Sequence, residues 1–235
     1  MTTTLRMAAL AWLLAMTPFL LGQARTTSWV KTFTCTGNGI AQTDTFTLAP
    51  GEWRICYRPY GRGPFSVTLR DVDSGLNRRL TNQTGPDVTS GAARGSYGIK
   101  SAYLVVHGSD EGWQVWVEHY MDTVDEWNFR QSQPPRRALE RLGSWTGEAA
   151  EQAVTVQVTA PHWRFSHEQL GPGRLRLDVF DATGQCLLRA CTAVSGIREA
   201  WIHQSGEFTV RISAIDTPWI FHIDAPVTPA GTQDN

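Results

Sequence analysis

Three groups of side chains in this 235-residue chain could do chemistry. His162, His167 and Glu168, within HWRFSHEQL, offer the imidazoles and carboxylate of a zinc site. Their order is not HExxH, however, and the segment alternates like a strand, so exposed histidines on a strand edge are expected. Asp71 and Asp73, within DVDSG, could begin a calcium loop. Further ligands are missing and the later DATG keeps only Asp181, so a hairpin turn is expected. Glu118, Asp122, Asp125 and Glu126 could pair as acid and base but read as a solvated edge. There is no GxSxG elbow and no glycine-rich phosphate loop. The expectation is a chain that is not an enzyme, with no catalytic residue, metal or cofactor.

Tryptophans offer binding chemistry instead. Trp116 falls out of phase with Trp113, Val115 and Val117 and is expected on an outer face. Trp201, in IREAWIHQSGE, is expected in a polar loop. Both are candidate contacts for a sugar ring or a protein partner. Trp29 and Trp127 flank the same region and suit packing. Four cysteines, Cys35, Cys56, Cys186 and Cys191, fit a disulfide framework outside the cytoplasm. Local pairs, Cys35 with Cys56 and Cys186 with Cys191, are the simplest choice, and other connectivities stay open. The second pair needs a turn within Leu187–Ala190, because five steps along one strand separate the sulfurs too far.

The elements that position these residues come in two copies. Thr36-Gly37 recurs as Thr146-Gly147 and Trp53-Arg54 as Trp163-Arg164, each 110 residues later. In the first copy Phe46 and Leu48, then Trp53, Ile55 and Tyr57, alternate around Pro50-Gly51. Phe65, Val67 and Leu69 follow, and Trp113, Val115 and Val117 close the pattern. The second copy runs through Val156, Val158, Trp163, Phe165, Leu175, Leu177 and Val179 to Phe208, Val210, Ile212, Trp219, Phe221 and Ile223. In-phase tryptophans at the start of equivalent strands, Trp53 with Trp163 and Trp113 with Trp219, are expected to fill the cores.

The first 24 residues carry one charge, Arg6, an apolar run from Met7 to Leu21 and small residues at Gly22 and Ala24, the pattern of a signal peptide. The product is expected to be secreted, periplasmic or at the cell surface, with no membrane span after cleavage. With 21 Lys+Arg against 22 Asp+Glu, nothing steers it toward nucleic acid. The expected layout is a signal peptide over 1–24, a first β-sandwich over 25–127 and a linker over 128–143. A second β-sandwich over 144–226 and a disordered tail over 227–235 complete it. The linker carries Pro134-Pro135 and is expected to hold at most a short helix over Arg137 to Leu142.

GSY at 95–97, GEF at 206–208 and the alternating strands over 35–118 and 145–224 resemble the small secreted β-sandwich modules similar to bacterial prepeptidase C-terminal domains. The resemblance implies non-catalytic appendages that serve binding or folding. No accompanying catalytic domain is expected from the sequence. Together these readings give an all-β chain of two tandem antiparallel, jelly-roll-like β-sandwich domains that bind an extracellular protein or polysaccharide. The alternative is a hydrolase or enzyme inhibitor with its site at the domain junction.

Overall fold

The computed structural model describes residues 25–135, 137–148, 150–192 and 196–227, with backbone alone at 196 and 197. The expected signal peptide lies outside the described residues, as does the tail beyond Val227. Alternating segments become strands in chain order. These are β1 (Ser28–Gly37), β2 (Ile40–Gln42), β3 (Phe46–Leu48), β4 (Trp53–Pro59), β5 (Phe65–Asp71), β6 (Asn77–Gln83), β7 (Gly91–Gly95), β8 (Ile99–His107) and β9 (Trp113–Met121). Helix α1 (Thr123–Ser132) follows. Then come β10 (Leu139–Gly147), β11 (Glu151–Val158), β12 (Trp163–Gln169), β13 (Arg174–Asp181), β14 (Cys186–Thr192), β15 (Gly196–Ile202), β16 (Gly206–Ile215) and β17 (Trp219–Pro226). The chain is all-β in class and every strand pairing is antiparallel.

The strand pairings repeat as the sequence does. β1, β9, β4 and β7 pair in that order, and so do β10, β17, β12 and β15. β8 joins β3 to β5, which pairs β6, just as β16 joins β11 to β13, which pairs β14. Even the bulge in β1 between Lys31 and Phe33 recurs in β10 between Arg141 and Gly143. β2 and β3 together occupy the place of β11, since both pair β8 as β11 pairs β16, but β2 makes a further link. It pairs β8 on one side and reaches β14 and β15 on the other, joining the strands of both halves into one hydrogen-bonded sheet.

Trp53, Trp113, Trp163 and Trp219 are all buried. Trp53 donates from Nε1 to the carbonyl of Tyr97 at 2.8 Å, and Trp163 to that of Gln204 at 3.0 Å, so these indoles enter the core without losing a hydrogen bond. Inner faces meet through aromatic pairs, Tyr57 of β4 with Phe65 of β5 at 5.7 Å and Trp163 of β12 with Phe208 of β16 at 5.0 Å. The Thr-Gly repeat has a steric reason. A methyl group on Gly37 would lie 2.5 Å from the ring of Trp113, and one on Gly147 would run into Trp219.

Two expectations about the joining segment are corrected. The helix runs over Thr123–Ser132 rather than Arg137–Leu142. It begins where the Asp122 carboxylate accepts the N–H groups of Val124 and Asp125 at 2.8 and 2.9 Å, and it stops before Pro134-Pro135. Leu139 to Gly143 is strand rather than linker. β10, like β1, is bonded on one side only and buries little, so its alternation is weak in the sequence. Among the described residues no helix is long and apolar enough to cross a membrane.

Candidate functional site

The outward face of the sheet β1-β9-β4-β7 is read directly from its register. One row across the strands is Lys31, Glu118, Arg54 and Arg94. The next is Thr34, Trp116, Cys56 and Ala92, and beyond it lie Thr36, Gln114 and Arg58. At the other end Trp29 faces Tyr120, with ring centroids 5.3 Å apart. Because neighbours in a row share a face, residues far apart in the chain form one surface.

Trp116 is half-buried on this face, and its surroundings are charged. Its Nε1 donates to Oε1 of Glu118 at 2.9 Å, Lys31 Nζ lies 5.1 Å from the ring centroid, and Arg58 lies 5.9 Å away. Arg54 donates from Nε to Oε2 of Glu118 at 2.5 Å and places its guanidinium 4.2 Å from the Trp29 ring. Burial works against the Glu118 carboxylate, but the hydrogen bonds from Arg54 and Trp116 hold it below the usual carboxylate range. It therefore stays charged and consumes the charge of Arg54. Among the described residues Lys31, Arg58 and Arg94 make no ion pair.

Trp201 sits elsewhere. It belongs to β15 rather than a loop, opposite Arg164 and Gln42, with the ring of His162 6.1 Å away. It lines a cleft of about 800 Å³ between β1 and β2 on one side and β12 and β15 on the other. Trp116 lies on the other sheet, β1-β9-β4-β7. Of the flanking tryptophans, Trp29 is half-buried under Arg54, whereas Trp127 on α1 is 63% exposed and packs against little.

The histidine expectation is also corrected. His167 points to the inner side of β12 and is 3% exposed, because it shares the phase of Trp163 and Phe165. Burial, with Arg198 beside it, brings its pKa down to about 4, and neither ring nitrogen has a partner among the described residues. His162 lies at the cleft, its Nε2 accepting from the Arg137 guanidinium at 2.7 Å. His203 reaches across to the other half, 2.8 Å from the carbonyl of Thr43 and stacked 3.9 Å from Tyr103.

The remaining candidate acids have local tasks. Asp122 caps α1, and Asp125 and Glu126 lie in its first turn, where the helix dipole favours them. Asp71 accepts from Ser74 Oγ at 2.5 Å and from the Asp73 N–H at 3.0 Å. Asp181 accepts from the Thr183 and Gln185 N–H groups at 2.9 Å. Both are turn-closing aspartates that leave few lone pairs for an ion.

All four cysteines are free thiols. Neither local disulfide is possible in this register. β9 lies between β1 and β4, which puts Cys35 and Cys56 about 10 Å apart by strand spacing, on opposite faces. Cys186 and Cys191 lie on the single extended strand β14, paired with Phe180 and Arg176. The turn that a bridge would need is absent from β14. Burial, then Glu199 and Asp44, push the Cys35 thiol up to about 11. Burial and Asp110 do the same for Cys191.

No family model matches the chain, and no curated protein matches it. Among solved structures, the PBSX exported protein XepA aligns over 84% of this chain and 86% of its own, at 10% identity and TM-score 0.27. A Penaeus vannamei nodavirus protein aligns over 88% and 92% respectively, at 8% identity and TM-score 0.23. A turret protein of Sulfolobus turreted icosahedral virus covers 86% and 100%, at 10% and 0.25. Similarities this low carry no functional information.

Proposed function

We propose that this chain is an exported, non-catalytic pair of tandem jelly-roll-like β-sandwich domains that binds a protein or polysaccharide through the Trp116 face. The tandem layout is supported by the repeated pairing order and the repeated bulge, with the first unit before α1 and the second from β10 onward. The binding role rests chiefly on one observation. The β1-β9-β4-β7 sheet turns an outward face to solvent on which Trp29, Trp116 and exposed Tyr120 cluster with cations. Co-sedimentation with insoluble polysaccharides and titration against candidate cell-surface proteins, each with wild type and Trp116→Ala, test the reading. Ligand retention lost in the variant, with an unchanged melting temperature, is the expected result. Retention equal to wild type places binding elsewhere.

One observation favours the second reading, a hydrolase or inhibitor site at the junction. His167, buried and without a protein hydrogen-bond partner among the described residues, lines the cleft together with Asp44, Glu199 and Trp201. Turnover of ester, glycan or peptide substrates by wild type and its loss in His167→Phe would support that reading. Turnover that survives the substitution would remove His167 from it.

A further inference from the structure

We infer that the ligand of the β1-β9-β4-β7 face is an acidic polysaccharide, held by Lys31, Arg58 and Arg94 rather than by bare stacking on tryptophan. This rests on the proposed surface-binding function and names its substrate class.

The indoles are already engaged. A neutral sugar stacks on a free aromatic face, but here Lys31 and Arg58 lie against the Trp116 ring and Arg54 against that of Trp29. The rings serve as supports that hold cations in place, since a cation over an indole gains attraction from the ring quadrupole and loses rotamer freedom. The Glu118 carboxylate fixes both Arg54 and the Trp116 edge from beneath.

The charge left over is positive. Four cations, Lys31, Arg54, Arg58 and Arg94, share the face with Glu118, and Glu52 stands just before β4 at its end. One carboxylate is spent on Arg54. The whole chain is nearly neutral, at a formal net charge of −1, so the positive charge is local to this surface and would recognise a polyanion lying on it. Thr34, Thr36 and Gln114, interleaved among the cations, offer the hydroxyl and amide partners that sugar hydroxyls need. The four-stranded width, with no strand or helix of the described residues packed over it, suits a linear chain laid across the sheet.

The test is titration of polygalacturonate and heparin against dextran, poly-glutamate and duplex DNA. The proteins are wild type, Lys31→Ala, Arg58→Ala and Arg94→Ala, each first shown to melt as wild type does. Polygalacturonate or heparin should bind, dextran should not, and affinity should fall by about tenfold or more as salt rises from about 50 to about 500 mM. Each cation variant should weaken binding, while Trp116→Phe, which keeps a ring beneath Lys31, should weaken it less than Trp116→Ala. Dextran binding that is indifferent to salt would overturn the acidic class and leave the surface-binding function standing. Tighter binding of poly-glutamate or DNA would replace the polysaccharide with a polypeptide or nucleic acid. Failure of every polymer would overturn the acidic class, and only failure of the cell-surface proteins and insoluble polysaccharides as well would overturn the surface-binding function.

Discussion

Arg164 of β12 and Asp224 of β17 stand directly opposite each other in the ladder and form an ion pair at 3.0 Å. The same contact exists in the other half, where Arg54 of β4 faces Glu118 of β9. The repeated Trp-Arg dipeptide is therefore one device used twice, with the indole inward as core and the guanidinium outward to tie the central strand pair. Asp224 is nearly fully buried and is shared with Arg141 at 2.9 Å.

Removing Arg164 should expose the cost of that arrangement. Arg164→Leu leaves Asp224 with a single cation and breaks a charge-assisted bond, for an expected loss of roughly 1–3 kcal/mol. Urea unfolding measures it. A midpoint equal to wild type would show that the pair is decorative.

The core tryptophans and their glycine partners should be more sensitive. Trp163→Ala removes a wholly buried indole, with an expected cost of about 3–5 kcal/mol. Gly147→Ala drives a methyl group into Trp219 and should cost about 1–3 kcal/mol through overpacking. Thermal unfolding of either variant indistinguishable from wild type would contradict the packing.

Acid should destabilise the protein before its carboxylates titrate. Burial holds His119, His167 and His203 at about 4, below the ordinary 6.5. His119 shows why, since its Nε2 accepts the Ala49 N–H at 3.0 Å and a proton there would face another donor. Groups with depressed folded pKa values bind more protons when unfolded. Their contribution is thus complete above about 6.5 and is lost as pH falls toward 4, on the order of 3 kcal/mol for a fully buried histidine. Stability measured at steps between those limits should decline steadily, and His167→Phe should flatten the slope. A profile flat to pH 4 would mean that these rings are solvated.

Peptide mapping without reduction should yield neither a Cys35–Cys56 nor a Cys186–Cys191 linkage. A 186–191 linkage would show that β14 is a hairpin rather than one strand.

Much of the architecture was legible because strand alternation is local. Trp53, Ile55 and Tyr57, or Phe208, Val210 and Ile212, announce an inner face within six residues. The edge strands β1 and β10 were not legible, since strands bonded on one side bury too little to alternate cleanly. Trp201 was misplaced in a loop for a similar reason, as Arg198 and Glu199 beside it mask β15. His167 was legible in principle. It lies in phase with Trp163 and Phe165, a signal overshadowed by the acidic Glu168 next to it.

The sequence alone determined that the chain is antiparallel β and internally duplicated, because period-two burial and a fixed repeat are properties of neighbouring residues and of chain length. Only the tertiary structure decided that Arg54 meets Glu118, 64 residues away, that Lys31 and Arg58 cover Trp116, and that β9 separates Cys35 from Cys56. Each of those contacts depends on which strands become neighbours and in what register. That choice is made by the cooperative burial of the inner faces of packed sheets, and no single strand contains it.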